Sequence, residues 1–256
     1  MSTRSEIMTL VRLAPEVDST ALSDANLRII LGRGQIDLSL KGRAMPKNEK
    51  VNVVASQMEY VVSGASPVLT DNGFLAIDPL EGGVLFSDGS RWISGANDEF
   101  KPVTREWLDL NYQGWRTNAA ASVPLYHYLG AGEDNSANLV IGLVDKPSAA
   151  RTDGLWVHFL SRGVLPTDDT HYFWTGSTTQ LAHLEPYEML LVHYAWEFYY
   201  RNIAKNDADA DKHKLLYESG AAAMARRLPL TDHLIKEGFS APPYFSQSGT
   251  RGRGGY

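Results

Sequence analysis

The stretch from Glu185 to Arg227 constrains the fold of this chain more than any other part. It holds an apolar run in which Leu190, Leu191, Tyr194, Ala195, Phe198 and Tyr199 recur at helical spacing, then an aspartate-rich break at Asp207, Asp209 and Asp211, then a second helical run from Lys212 to Arg227. Such a broad apolar stripe must be covered by other elements, so a helical hairpin in need of helical partners is predicted. Pro186 suits a first turn, where its missing N–H removes no bond. Asp207 to Asp211 at the positive end of the second helix and Arg226-Arg227 at its negative end match the helix dipole. His193, Glu197 and Arg201, spaced i, i+4, i+8, are expected on a solvated, ion-paired edge.

The partners lie at the other end of the chain. Thr3 and Glu6 have capping-box spacing ahead of Ile7, Leu10 and Val11, and Pro15 closes that first helix. Ser23 is an N-cap for a second helix with an apolar stripe through Leu27, Ile30, Leu31, Gly34 and Leu38. Gly32 and Gly34 weaken this helix or let a neighbour approach closely.

From about Lys50 the period shortens to that of strands. Val51, Val53, Tyr60–Val62, Phe74–Ile77, Val84–Ser87, Lys101–Thr104, Val123–Leu129, Leu139–Val144 and Leu155–Leu160 are candidate strands, separated by turn residues of which Asn72-Gly73 is the strongest pair. Short strands without long helices between them favour an antiparallel sandwich or barrel over a parallel sheet, with Glu106–Gln113 as a short helix across it. The predicted fold is therefore α+β: a helical bundle from residues 1–46 and 181–230, an inserted β-rich domain at 47–180, and an extended C-terminal arm at 231–256.

Composition narrows the chemistry. With 256 residues and 43% hydrophobic content the chain can bury a full core without staples. Cysteine is absent, which removes disulfides, thiolate metal sites and a cysteine nucleophile. No apolar run reaches the roughly 20 residues of a membrane span, so a protein made in the cytoplasm without export or membrane insertion is expected. Net charge is −6, and the tail arginines are the only charged residues after Glu237. An acidic body is a poor phosphate binder, so DNA-specific binding is not expected.

Motifs that carry chemistry are few. Asp207, Asp209, Asp211 and Glu218 fall at calcium-loop spacing, but Lys212 stands where the loop needs glycine, so a helix start is the reading preferred to an ion site. His183 and Glu185 have the H-x-E spacing of zinc deaminases without the cysteines those require. Gly32 and Gly34 lack the third glycine of a dinucleotide fingerprint, and the scattered histidines, including His158 and His193, read as structural. Trp92, Trp107, Trp115, Trp156 and Trp174 fit core or interface anchors before a sugar-binding cleft. No catalytic residue, cofactor site or metal site is assigned, and an enzyme is not expected.

The order of these pieces resembles a known family. Ala21-Leu22-Ser23-Asp24-Ala25-Asn26-Leu27, Arg91-Trp92, Pro102-Val103-Thr104, Pro124-Leu125-Tyr126-His127-Tyr128, Leu139-Val140-Ile141-Gly142-Leu143 and Leu184-Glu185-Pro186-Tyr187-Glu188 follow the succession seen in head-to-tail adaptor proteins of short-tailed bacteriophages, also called head-tail connector or tail tubular protein A proteins. The likeness spans about residues 3–230; the glycine-bearing second helix and the Leu129–Asn138 turn depart from it. It implies a structural virion protein, assembled in the host cytoplasm into a homo-oligomeric ring, a dodecamer, that docks on the portal. Tail tube or nozzle proteins would attach below, and DNA would pass through the channel during packaging, retention and ejection without specific binding. It also implies that the C-terminal arm reaches the portal through Phe239, Tyr244, Phe245 and Tyr256 as anchors and Arg251 and Arg253 as ion-pair donors. The runner-up is a carbohydrate-binding or hydrolytic β-domain protein with a helical assembly module.

Overall fold

The N-terminal helices begin where their caps place them. In α1 (Arg4–Val11) the Thr3 side chain accepts from the Glu6 N–H while Glu6 accepts from the Thr3 N–H at 2.7 Å, and in α2 (Asp24–Lys41) Ser23 accepts from the Asn26 N–H at 3.3 Å. Each cap satisfies backbone donors that the first turn leaves open. The computed structural model describes residues 2–14, 16–17, 19–95, 100–133 and 138–236, with side chains of the last helix up to residue 227. Pro15, expected to close the first helix, lies outside the described residues.

Among the described residues nine strands follow: β1 (Pro46–Val53), β2 (Glu59–Ser63), β3 (Phe74–Ile77), β4 (Val84–Ser87), β5 (Trp92–Ile93), β6 (Lys101–Pro102), β7 (Tyr126–Ala131), β8 (Leu139–Val144) and β9 (Arg151–Ser161), with α3 (Arg105–Asn111) between β6 and β7. One sheet runs β1-β9-β4-β5, the other β2-β8-β7-β6, and every pairing is antiparallel except β6 with β7. β9 organises the first sheet. β1 lies along one edge, while β4 pairs at Leu155–Val157 and β3 at Phe159–Ser161 on the other.

Alternation along the strands then sorts the faces. Val51, Val53, Phe86, Leu155, Val157 and Phe159 from the first sheet meet Tyr60, Val62, Ile141 and Leu143 from the second in one buried cluster, as a period of two requires. The far side of the second sheet is covered by α3, where Leu108, Trp115, Tyr128, Val140 and Val144 form a smaller core. Tyr128 lies across the neighbouring strand at Gly142, where an added Cβ would sit 2.0 Å from the ring.

At the other end α4 (Glu188–Tyr199) and α5 (Asp207–Lys236) close on the N-terminal helices. Ile7, Leu27, Leu31, Leu191, Ala195, Tyr217 and Met224 share one core. Gly34 permits the approach of α4, since a Cβ there would lie 2.9 Å from Tyr194 Cδ1, whereas Gly32 meets only Leu165 at 3.8 Å. The buried Arg43–Asp78 ion pair ties the end of α2 to the turn after β3. Among the described residues no helix is long and apolar enough to cross a membrane.

Several boundaries differ from the sequence reading, among them the starts of β1 at Pro46, β7 at Tyr126 and β9 at Arg151. β9 ends at Ser161, and the segment after it, expected in the β-rich part to residue 180, packs on the helices instead: Phe173 and Trp174 are buried there, and Trp174 Nε1 donates to Ser39 Oγ at 2.9 Å. Irregular backbone has no period, so its side was not legible. α5 starts at Asp207 and not Lys212, with Asn206 Oδ1 accepting from the Asp209 N–H at 3.3 Å. It also continues to Lys236, so Arg226-Arg227 lie in its interior and residues 231–236 are helix where an extended arm was expected. Leu230 and Leu234 keep helical spacing past the boundary expected at residue 230. Asn72-Gly73 is a turn but not a hairpin, because β2 and β3 belong to different sheets.

Candidate functional site

The arm residues singled out by sequence, Phe239, Tyr244, Phe245, Arg251, Arg253 and Tyr256, all lie outside the described residues. What the structure offers are four polar or aromatic constellations on the body of the molecule.

The first is a cleft of about 530 Å³ where the β9–helix connection passes the β2–β3 loop, lined by Lys47, Glu49, Thr70, Asp71, Arg162 and Leu165 among others. Its floor is a tight network. Glu49 accepts from the backbone N–H groups of Thr70 at 2.6 Å and Asp71 at 3.1 Å, and Asp71 in turn accepts from Lys47, from the Gly73 N–H and, at 3.0 Å, from Ser161 Oγ. Burial alone would raise the Asp71 carboxyl, but these donors hold it below the usual carboxylate range. The network fixes the loop and leaves Arg162 exposed at the rim. Sequence reasoning missed it because its members come from β1, a loop and the end of β9, with no local motif. Ser161 is fully buried and bonded to a carboxylate, so the geometry is that of a structural hydroxyl and not an accessible nucleophile.

The second is an aromatic patch on the outer face of the first sheet. Trp92 and Trp156 lie 5.4 Å apart and tilted, Lys50 Nζ stands 5.8 and 5.6 Å from their ring centres, and Trp156 Nε1 donates to Asn48 Oδ1 at 3.2 Å. Both indoles are half-buried and the flanking Asn48, Lys50 and Asn52 are exposed. His158, expected to be structural, is buried beside Trp156 at 4.7 Å between ring centres. The remaining tryptophans divide: Trp115 and Trp174 are core, Trp196 packs on the helical core with its Nε1 donating to the Val11 carbonyl at 2.9 Å, and Trp107 is 39% exposed on α3.

The third lies in the helical hairpin. His193 was expected on a solvated edge, but it is half-buried in a three-ring cluster with Trp196 and His213, its Nδ1 3.2 Å from that of His213. His213 also lies 5.6 Å from the Tyr200 ring, nearly parallel to it. Glu197 and Arg201 do pair, at 3.3 Å, and Arg201 extends the contact to Asp211 at 2.7 Å and Asp207 at 3.7 Å. Those aspartates occupy the first turns of α5, and Asp209 accepts from Asn206 Nδ2 at 2.7 Å. Calcium-loop spacing needs a loop, and here it is laid on a helix. Among the described residues no group of three or more His, Asp or Glu side chains is placed to hold a metal ion. His183 and Glu185 sit in the 3-10 segment Ala182–Tyr187 that leads into α4.

The fourth is a polar triad on the α3 side of the second sheet. Tyr128 Oη donates to Glu59 Oε1 at 2.7 Å and accepts from Arg105 Nη2 at 3.2 Å, and burial together with the Glu59 bond pushes the phenol well above its ordinary range. It holds a proton too firmly for acid–base work near neutral pH. The chain is thus an α+β protein with two antiparallel-rich sheets. No protein-family model matches it, and no curated protein matches its sequence.

Proposed function

We propose that this chain is a structural head-to-tail adaptor of a short-tailed phage virion, in which helices from both ends form a bundle and the strands form an inserted antiparallel sandwich. The observation that carries this reading is the closure of α1 and α2 on α4 and α5 in a single core, with the strands departing from α2 and returning next to it. The family resemblance implies a helical part packed around the ring and a separate β part facing the tail, and this division suits both. In this reading the helical part packs around a ring, a dodecamer, against the portal. The β part faces the tail tube or nozzle, and Phe239, Tyr244, Phe245, Arg251, Arg253 and Tyr256 anchor the arm. The acidic body suits a channel through which DNA moves without sticking.

The test is assembly of the full chain with purified portal, followed by negative-stain imaging and sedimentation. A ring, or a portal complex, is expected; a chain that stays monomeric and ignores the portal overturns the reading. Deleting Gly238 to Tyr256 should abolish docking and leave the melting temperature unchanged, and retained docking rejects the arm assignment. A second reading, carbohydrate binding, is favoured by the half-buried Trp92–Trp156 pair on the outer face of the first sheet, with the exposed Asn48 and Lys50 beside it. Quenching of tryptophan fluorescence by oligosaccharides, lost in Trp156→Ala, would support that reading against the adaptor.

A further inference from the structure

We infer that His193 and His213 form a proton-sharing clasp that holds the helical hairpin shut at neutral pH and releases the start of α5 when both imidazoles are charged. The geometry carries this. The ring centres are 5.3 Å apart while the Nδ1 atoms are 3.2 Å apart, so both nitrogens lie close to the line joining the rings and point at each other. Nitrogens facing each other at this distance compete for a single proton. They suit one N–H donating to one bare nitrogen, an arrangement that survives with either none or one extra proton on the pair. A second extra proton sets two N–H donors against each other, and the bond is lost.

The surroundings make the clasp a local device. From α4, Trp196 stands 5.6 Å from His193 and 5.0 Å from His213. The π-helical turn Tyr200–Ala204 places Tyr200 against the other side of His213. From α5, Lys212 opposes charge on both imidazoles while Asp209 favours it on His213. From the α1–α2 connection Glu16 reaches Tyr200 Oη at 3.3 Å, and on α4 Glu197 is engaged by Arg201. Burial is the largest influence on both histidines and disfavours their charged forms. Their folded-state proton affinity is therefore below that of the unfolded chain, and the clasp's stabilisation is present above about pH 6.5 and fades as pH falls below it.

Imidazole NMR of the full chain tests the coupling directly. His193 and His213 should titrate as one unit in two macroscopic steps separated by more than about one pH unit. Two independent single steps would overturn the proposal. Hydrogen exchange then reads the release. Between pH 7.5 and 5.0, after correction for intrinsic rates, protection of the α5 amides from 211 to 218 should fall about tenfold, and His213→Phe, which keeps the ring against Tyr200 and Trp196, should show no such change. Wild-type protection that stays constant, an equal loss in His213→Phe, or a rise in melting temperature with added zinc or nickel that both His→Phe variants abolish would each overturn it, the last in favour of a metal site.

Discussion

Breaking the Arg43–Asp78 pair should be among the most damaging single changes the described residues allow. Both side chains are almost entirely removed from water, at 7% and 2% exposure. Asp78 also accepts the Leu80 N–H at 3.1 Å, and its own N–H donates to the His158 carbonyl at 2.9 Å, so the carboxylate cannot swing out to solvent without dismantling the turn after β3. Removing one partner of such a pair strands the other charge, which costs about 3–5 kcal/mol. Arg43→Met keeps most of the stem volume and isolates that charge term. Adding Asp78→Asn to it removes the stranded charge while an amide oxygen still accepts from Leu80, so the double variant should recover all but about 1–2 kcal/mol. Urea unfolding followed by circular dichroism measures both, and for a chain of this size the single variant should lower the melting temperature by on the order of 10 °C. If Arg43→Met costs less than about 1 kcal/mol, or the double variant is no better than the single, the desolvation argument is wrong for this pair.

Other perturbations follow from the same geometry. Gly142→Ala drives a methyl group into the Tyr128 ring and should destabilise by at least about 2 kcal/mol in urea titration, whereas Gly142→Ala in a Tyr128→Leu background should cost much less. His127 is buried against Phe100 at 4.4 Å, and burial lowers it to about 4. Its folded affinity for protons is the weaker one, so it contributes stability above about pH 6.5 that is lost as pH falls toward 4, on the order of 3 kcal/mol in all. His127→Phe should flatten that part of the stability–pH curve measured by thermal melts. Trp174→Phe leaves the buried Ser39 hydroxyl without its indole donor and should cost about 1–3 kcal/mol. Ser39→Ala added to it should recover part of that loss.

Much of the fold was legible because local rules govern it. Thr3, Glu6 and Ser23 announced their helices through cap chemistry that depends on three or four neighbouring residues, and Val84–Ser87 and Leu139–Val144 declared strands by composition alone. Pairing partners were not legible. Nothing in Phe74–Ile77 says that it continues the edge begun by β4, because register is set by which apolar face finds which, across more than eighty residues of chain. The polar constellations were hidden for the same reason: His213 looked like an ordinary residue of a charged helix until α4 brought His193 to it, and Asp71 gained Lys47 and Ser161 as partners only through the meeting of β1 with β9. The conserved spacing that a motif search relies on exists within an element and not between elements.

The way the chain crosses between its two cores carries a mechanical consequence. It leaves α2 into β1 at Pro46 and comes back from β9 at Leu160, and those two residues are register partners, about 5 Å apart as antiparallel neighbours are. Two attachment points side by side define an axis. Bending about that axis meets little covalent resistance, but twisting about the strand direction must stretch one crossing against the other. The Arg43–Asp78 contact lies beside the crossings, with Arg43 three residues before Pro46 and Asp78 bonded to His158 of β9, and acts as a strut against the bend. Torque applied to the helices is therefore delivered to the sheets, while a bend is available only where that strut gives way.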